Sequence, residues 1–261
     1  MRLTVFASGS SGNCLLLSGG RTNILIDAGI STRRLASLLG ECSLTLQDIG
    51  GVLITHEHSD HISGLKTLLR HCDCPVYAPR TVASRLRGML PEIDGRLVVI
   101  PVGEDFSIAS LTVRAFHTPH DTPESVGYRV SCGGVFAIAT DMGCVTDEIR
   151  ENLRGADAVL IESNHDEDML RFGPYPAMLK RRILSDHGHL SNENCAALAR
   201  ELAESGTRTI ILGHLSRQNN TPALARRAAE AALDGTGAAI CCAPELGCLA
   251  LRVEEACLQS S

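Results

Sequence analysis

The sequence predicts an α/β fold in which two layers of sheet are flanked by helices. Three observations carry this. Short apolar runs of strand length, separated by Gly- and Ser-rich turns, fill the first half; strand runs followed by helical patterns occur in both halves; and no internal repeat at a fixed short period is visible. At 261 residues and 44% hydrophobic, the chain can bury a full core as one large domain or two small ones. One domain over residues 1–261 is expected.

Residues 3–7, 14–18 and 23–27 are apolar runs separated by Ser8-Gly9-Ser10-Ser11-Gly12-Asn13 and by Gly19-Gly20, a meander of strands. Leu35, Leu38 and Leu39 recur at helical spacing over 32–39. Residues 46–48 lead into a buried strand, Val52-Leu53-Ile54, and 62–72 reads as an amphipathic helix. Strands at 75–78 and 97–102 enclose a helix over 81–90, and further strands cover 106–117, 125–130 and 135–140, the last ending at Asp141. In the second half a strand over 158–162 precedes a basic helix at 177–185 and a longer one at 192–205. A strand at 209–212 ends at Gly213-His214, a helix covers 222–233, and two strands lie near 238–242 and 247–252.

Composition removes several function classes. No stretch of about 18 uninterrupted apolar residues marks a membrane span, and the first residues enter a strand-like pattern without the basic and apolar regions of a signal peptide, so a cytoplasmic protein is expected. Eleven cysteines, an odd number scattered through apolar segments as at Cys14, Cys132, Cys195, Cys241 and Cys242, fit buried thiols better than disulfides. Cys72-Asp73-Cys74 has no second Cys pair at finger spacing to complete a zinc site. A formal charge of -6 argues against nucleic-acid binding driven by overall charge. Arg33-Arg34, Arg85 with Arg87, Lys180-Arg181-Arg182 and Arg226-Arg227 could still meet phosphates if the fold gathers them, although each alone is more often a solvated helix face.

The chemistry concentrates in His56-Glu57-His58-Ser59-Asp60-His61, directly after the apolar run 52–54. Strand alternation sends His56, His58 and Asp60 to one side, and His61 joins them if a helix begins right after Asp60. Imidazole nitrogens and a carboxylate suit zinc, and with a second, carboxylate-bearing site also manganese or iron. Candidates recur where later strands end. In Phe116-His117-Thr118-Pro119-His120-Asp121 the better candidate is His120, which lies past the strand beside a carboxylate able to orient an imidazole. A lone acid such as Asp141 is usually a cap or turn residue; here two cations need a bridging anion to offset their repulsion. His214 fits the last ligand of a second site.

His56-x-His58-x-Asp60-His61, followed by His120, Asp141 and His214, resembles the metallo-β-lactamase-fold hydrolases, and the likeness extends over most of the chain. Within that superfamily, Ser8-Gly9-Ser10-Ser11-Gly12-Asn13-Cys14, Glu162-Ser163-Asn164-His165-Asp166, Gly188-His189-Leu190-Ser191-Asn192 and His214-Leu215-Ser216-Arg217-x-Asn219-Asn220 are most similar to the YycJ-like (WalJ-like) branch. The resemblance implies a four-layer αββα sandwich with a dinuclear site at one edge of two mixed sheets. His56, His58 and His120 would hold one divalent metal, Asp60, His61 and His214 the other, and Asp141 would bridge. The branch is similar to double-stranded DNA 5′-to-3′ exonucleases and more distantly to ribonuclease Z and the cyclic ribose phosphate phosphodiesterases. Zinc or manganese is expected, with iron compatible, and DNA more than RNA as the nucleic-acid partner. Two cations roughly 3.5 to 4 Å apart can generate a shared hydroxide nucleophile and stabilise the entering and leaving oxygens of an in-line displacement.

Asp60 would ligate and also orient the nucleophile. His189 is the candidate to protonate the leaving oxygen, being unneeded as a ligand and near its ordinary pKa of about 6.5 suited to that task. It competes with a backbone-bonded turn histidine and with its neighbour His187. Asn13, His165, Arg217 and Asn219 are candidate substrate contacts, through side chains or, for the loop residues, backbone amides; a hydrogen-bonded role behind the ligands is as reasonable for His165. His71 is read as a surface histidine at a helix end. The alternative enzyme is a small-molecule hydrolase acting on a cyclic nucleotide, ribose phosphate, thioester or lactam. Other classes are a di-iron electron-transfer module, which would bring a flavin domain with no room after Leu251, and an inactive binding partner, against which the intact ligand set argues.

Overall fold

The computed structural model describes residues 1–254. The first sheet contains β1 (Arg2–Ala7), β2 (Cys14–Gly19), β3 (Thr22–Ile26), β4 (Gly51–Leu53), β5 (Val76–Pro79) and β6 (Leu97–Ile100) in sequential order, with β14 (Leu249–Arg252) added antiparallel beside β1. The second contains β7 (Asp105–Ile108), β8 (Leu111–His117), β9 (Val126–Ser131), β10 (Val135–Ala139), β11 (Ala158–Glu162), β12 (Thr209–Gly213) and β13 (Ala239–Cys242), again sequential. Each sheet is mixed. The meander β1 to β3 is antiparallel and β3 to β6 parallel, while β7 to β10 are antiparallel and β10 to β13 parallel.

Period-two alternation assigns the side chains to three apolar layers. Leu15 and Leu17 of β2 pack between the sheets with Val113, Tyr128, Phe136 and Leu160, whereas Cys14 and Leu16 face the helices. Leu35, Leu38 and Leu39 of α1 (Thr32–Glu41) and Val82, Ala83 and Leu86 of α4 (Arg80–Met89) cover the outer face of the first sheet. Ile149 and Leu153 of α5 (Asp147–Leu153), Cys195, Leu198, Ala199 and Leu202 of α8 (Asn192–Glu204), and Ala225, Ala229 and Leu233 of α9 (Pro222–Leu233) cover the second. The result is the expected αββα layering. Strands buried on both faces read as continuous apolar runs, which is why their sequence signal is strong.

Several boundaries differ from expectation for local reasons. The expected strand 106–117 is the hairpin β7–β8, turned at Ala109 with φ +49°. The expected helix 62–72 is two single turns, α2 (Ser59–Ile62) and α3 (Leu65–Leu68), and the basic helix α7 ends two residues early (Ala177–Ile183). Helices α5 and α6 (Glu167–Phe172) have no counterpart in the sequence reading, although Thr146 and Asp166 cap them by accepting from the Ile149 and Met169 amides. Among the described residues no helix is long and apolar enough to cross a membrane.

Candidate metal centre

The centre lies at the C-terminal ends of β3, β4, β10, β11 and β12, where chains leave the sheets. Asp27 follows β3, Asp141 lies just beyond β10 and His214 follows β12, with φ of +61°, +56° and +53°. Left-handed backbone costs a non-glycine residue about 1–2 kcal/mol, and Asp and His are among the types that tolerate it. The three turns aim a carboxylate or an imidazole back over the sheet edge.

His56 and His58 lie beyond β4 in the extended segment before α2, with His58 as that helix's N-cap. Asp60 and His61 are both inside its single turn, so strand alternation does not place Asp60; the helix begins at Ser59, two residues earlier than expected. The turn is locked from behind. The Asn13 amide N–H donates to the Asp60 carbonyl at 2.7 Å, and a Cβ on Gly29 would lie 1.6 Å from that same oxygen. Only glycine allows the 28–30 loop this close.

Two clusters result. His56 Nε2 lies 3.1 Å and His120 Nε2 3.3 Å from His58 Nδ1. Beside them, the Asp60 carboxylate is 3.4 Å from His61 Nε2 and 3.6 Å from His214 Nε2. Asp141 reaches both: one oxygen is 3.3 Å from His61 Nε2, and the other is 3.6 Å from His214 Nε2 and 3.7 Å from His120 Nε2. All seven residues expected as ligands are thus gathered. The donor set fits divalent cations on two counts. Three imidazole nitrogens face one point, and in the tautomers that leave them unprotonated their lone pairs converge on it. Asp141 Oδ2 and His214 Nε2 are also buried without a hydrogen-bond partner, a costly state that a cation relieves.

The outward nitrogens are held by residues the sequence reading does not single out as functional. Asp27 accepts from His61 Nδ1 at 2.7 Å and from the Thr55 amide at 2.9 Å. Glu162, fully buried, uses Oε1 to bind His214 Nδ1 at 2.8 Å and His189 Nδ1 at 2.7 Å, and its other oxygen accepts from the Met142 and Leu190 amides. His120 Nδ1 faces the Gly188 carbonyl at 3.3 Å. Asp121, expected to orient His120, instead lies on the ligand side, 3.2 Å from Nε2, and pairs with Arg182. His117 turns away to Glu148.

Electrostatics follow from burial and these neighbours. Burial, reinforced by the facing imidazole of His61, pushes His56 well below its ordinary pKa, leaving it neutral. Burial opposes charge at His61 and His214 too, but the carboxylates win: Asp27 and Asp141 raise His61, and Asp141 with Asp60 and Glu162 raises His214 to about 10. Burial likewise works against ionised Glu162, yet His189 and His214 hold it down at about 2. His189 is raised because the Glu162 carboxylate outweighs its burial.

His189 lines a pocket of about 150 Å³ with Ser10, Asp121, Tyr175, Arg182 and Ser216. The four expected substrate contacts are not among its lining residues. Asn13 is buried, accepting from the Gly9 amide and placing its Nδ2 3.3 Å from Asp60 Oδ2 and 3.0 Å from His61 Nε2. His165 is 1% exposed with both ring nitrogens unpartnered, and burial lowers its pKa to about 4. Asn219 is buried against Ser216, and Arg217 is exposed and paired with Glu245. Of the basic clusters, Arg85, Arg87 and Arg226 are paired with Glu57, Asp94 and Glu230, Arg33 and Arg34 line a separate cleft with Ser11 and Leu246, and Arg182 alone enters the pocket beside His189.

Two mixed sheets flanked by helices, with a His/Asp centre along their shared edge, define a metallo-β-lactamase-fold protein. Residues 22–215 match the family described as the Beta-lactamase superfamily domain, and the chain belongs to that superfamily, in its YycJ/WalJ-like branch. It is 37% identical to the exodeoxyribonuclease YycJ of Bacillus anthracis over 239 residues, 91% of this chain and 90% of that protein. It is also 37% identical to the exodeoxyribonuclease WalJ of Streptococcus pneumoniae (serotype 2, strain D39) over 228 residues, 86% and 85% of the two chains. Among solved structures, Zn(2+)-bound PqqB from Methylobacterium extorquens matches with a TM-score of 0.75 at 18% identity, covering 97% of this chain and 100% of that one. The metallo-β-lactamase fold protein YhfI from Bacillus subtilis matches with a TM-score of 0.73 at 15% identity, covering 95% and 98%. These two likenesses concern the fold alone.

Proposed function

We propose that this protein is a metal-dependent phosphodiesterase that degrades DNA from a free 5′ end, with residues 1–261 acting as one catalytic domain, of which 255–261 lie outside the described residues. The observation that carries the reading is the convergence of seven metal-competent side chains into two clusters sharing Asp141, in a chain 37% identical to two exodeoxyribonucleases. His56, His58 and His120 would hold one cation, Asp60, His61 and His214 the second, with Asp141 between them. When bound, such a pair acidifies a water and offsets charge on the phosphoryl oxygens.

The chain's own residues supply the rest. Asp60 is kept ionised, burial notwithstanding, by the imidazoles of His214 and His61 that face its carboxylate at 3.6 and 3.4 Å, and it orients the attacking water. His189, protonated through its contact with Glu162, delivers a proton to the leaving oxygen. Asn13 positions Asp60, and His165 and Asn219 support the wall behind the pocket. Arg182 lies where a phosphate would approach.

Incubating the protein with 5′-labelled duplex DNA, single-stranded DNA, RNA and bis-p-nitrophenyl phosphate, after chelation and with Mn or Zn added back, tests this. Stepwise release from the 5′ end of DNA is expected. Turnover of the small diester alone would replace the exonuclease reading with the small-molecule hydrolase.

A further inference from the structure

The pocket beside His189 is bordered on one side by a rim, α7 and the turn that joins it to α6. Tyr175, in the turn between these helices, and Leu179 and Arg182 of α7 line it directly. Phe172, which ends α6 three residues before Tyr175, and Met178, beside Leu179 in α7, are large apolar side chains that the fold leaves in water, at 85% and 77% exposure. The chain has only 5 Phe, 3 Tyr and no Trp, and Phe6, Phe116 and Phe136 are completely buried, so displaying Phe172 is not a surplus of aromatic residues reaching the surface. The same rim carries Lys180, Arg181 and Arg182. Lys180 donates to the Arg171 carbonyl at 2.7 Å, tying α7 back to α6, and a Cβ on Gly173 would lie 2.4 Å from the Met169 carbonyl, so the turn after α6 is tightly drawn. Exposed aromatic and cationic side chains therefore share one braced element.

Resting on the phosphodiesterase reading, we propose that the α6–α7 rim is a nucleic-acid platform: Phe172 and Tyr175 stack on bases of the strand whose phosphodiester enters the pocket, and Lys180 and Arg181 hold its phosphates. Unpaired bases offer a π-face to any aromatic side chain, while the backbone tracks positive charge, so single strands are bound by this combination of residues. Paired bases are stacked on one another and leave such an aromatic nothing to cover except at an end. The platform thus suits a frayed or single-stranded terminus. Phenylalanine beside Lys and Arg also suits an anionic lipid surface. Here, however, Tyr175 and Arg182 belong to both the rim and the pocket, and a strand engages both at once where a bilayer does not.

Binding is measured by fluorescence anisotropy on metal-loaded protein with a phosphorothioate-linked DNA strand carrying an unpaired 5′ end. Phe172→Ala, on an exposed side chain, is expected to weaken binding about tenfold and to lower hydrolysis of the corresponding phosphodiester strand relative to bis-p-nitrophenyl phosphate by a similar factor. Abasic sites in the unpaired end should erase the difference between wild type and variant. Equal affinity for the normal strand, or an undiminished difference on the abasic one, overturns the platform. So does Phe172-dependent co-sedimentation with phosphatidylglycerol vesicles combined with Phe172-independent DNA binding. Wild-type protein that binds the strand through Phe172 without cutting it refutes the phosphodiesterase and spares the platform; cutting with no dependence on Phe172 does the reverse.

Discussion

Glu162 Oε1 lies 2.7 Å from His189 Nδ1 and, through the same oxygen, 2.8 Å from His214 Nδ1, so one buried carboxylate orients both a candidate proton donor and a candidate ligand. The anion raises the His189 pKa above its ordinary value despite burial. Replacing it with the neutral amide in Glu162→Gln removes that support. A proton donor works below its pKa, so lowering the pKa moves the alkaline limb of the rate profile to lower pH. A pH profile of kcat checks this. A limb that stays in place would detach His189 from proton transfer.

His189→Ala should keep the metal stoichiometry of the wild type while hydrolysis falls about 100-fold or more. Elemental analysis alongside activity separates the outcomes. His189 also stands near Asp141, Glu162 and His214 in a cluster able to hold a cation, so lost metal would make it a ligand.

Asp27→Asn isolates the role of charge behind His61. Asn tolerates the left-handed backbone at φ +61°, so the turn is preserved while the anion facing His61 Nδ1 disappears. Metal affinity, read by competition with a chromogenic chelator, should drop about 10- to 100-fold. Unchanged affinity would leave Asp27 with only the Thr55 turn to hold.

Two glycine substitutions should act in opposite directions. Gly29→Ala drives a methyl group into the Asp60 carbonyl and should cost about 1–3 kcal/mol or more, together with metal affinity. Gly40→Ala, in α1 with nothing within 4 Å of the added carbon, should stabilise by roughly 0.5–1 kcal/mol. Thermal denaturation of both variants reads the contrast.

The candidate ligand cluster and the layered fold are legible because they depend on local patterns. Strands such as 158–162 are buried on both faces and read as unbroken apolar runs, and α9 runs from Pro222 to Leu233 as its cap and spacing indicate. Asp27 and Glu162 were not legible as partners. They meet His61 and His214 across 34 and 52 residues, and alone each is an acid closing a strand. That position is a usable signal only where other candidate ligands call for an anion, as at Asp141. His120 emerges on the expected grounds of lying past its strand, but its outward nitrogen faces Gly188 rather than the adjacent carboxylate. Asn13, His165, Arg217 and Asn219 show the limit of motif reading: proximity in sequence to a ligand does not say which side of it a side chain occupies. The short helices α5 and α6 carried cap residues but too few apolar positions to show periodicity.

The left-handed turns at Asp27, Asp141 and His214 also restrict how this centre can evolve. Exchanging a candidate ligand for Cys or Glu, the obvious route to a softer or more anionic site, adds a conformational penalty at Asp141 and His214 that exchange among Asp, Asn, His and Gly largely avoids. The bends at the sheet edge thereby narrow the mutational routes to a new metal preference, independently of any contact the metal itself makes.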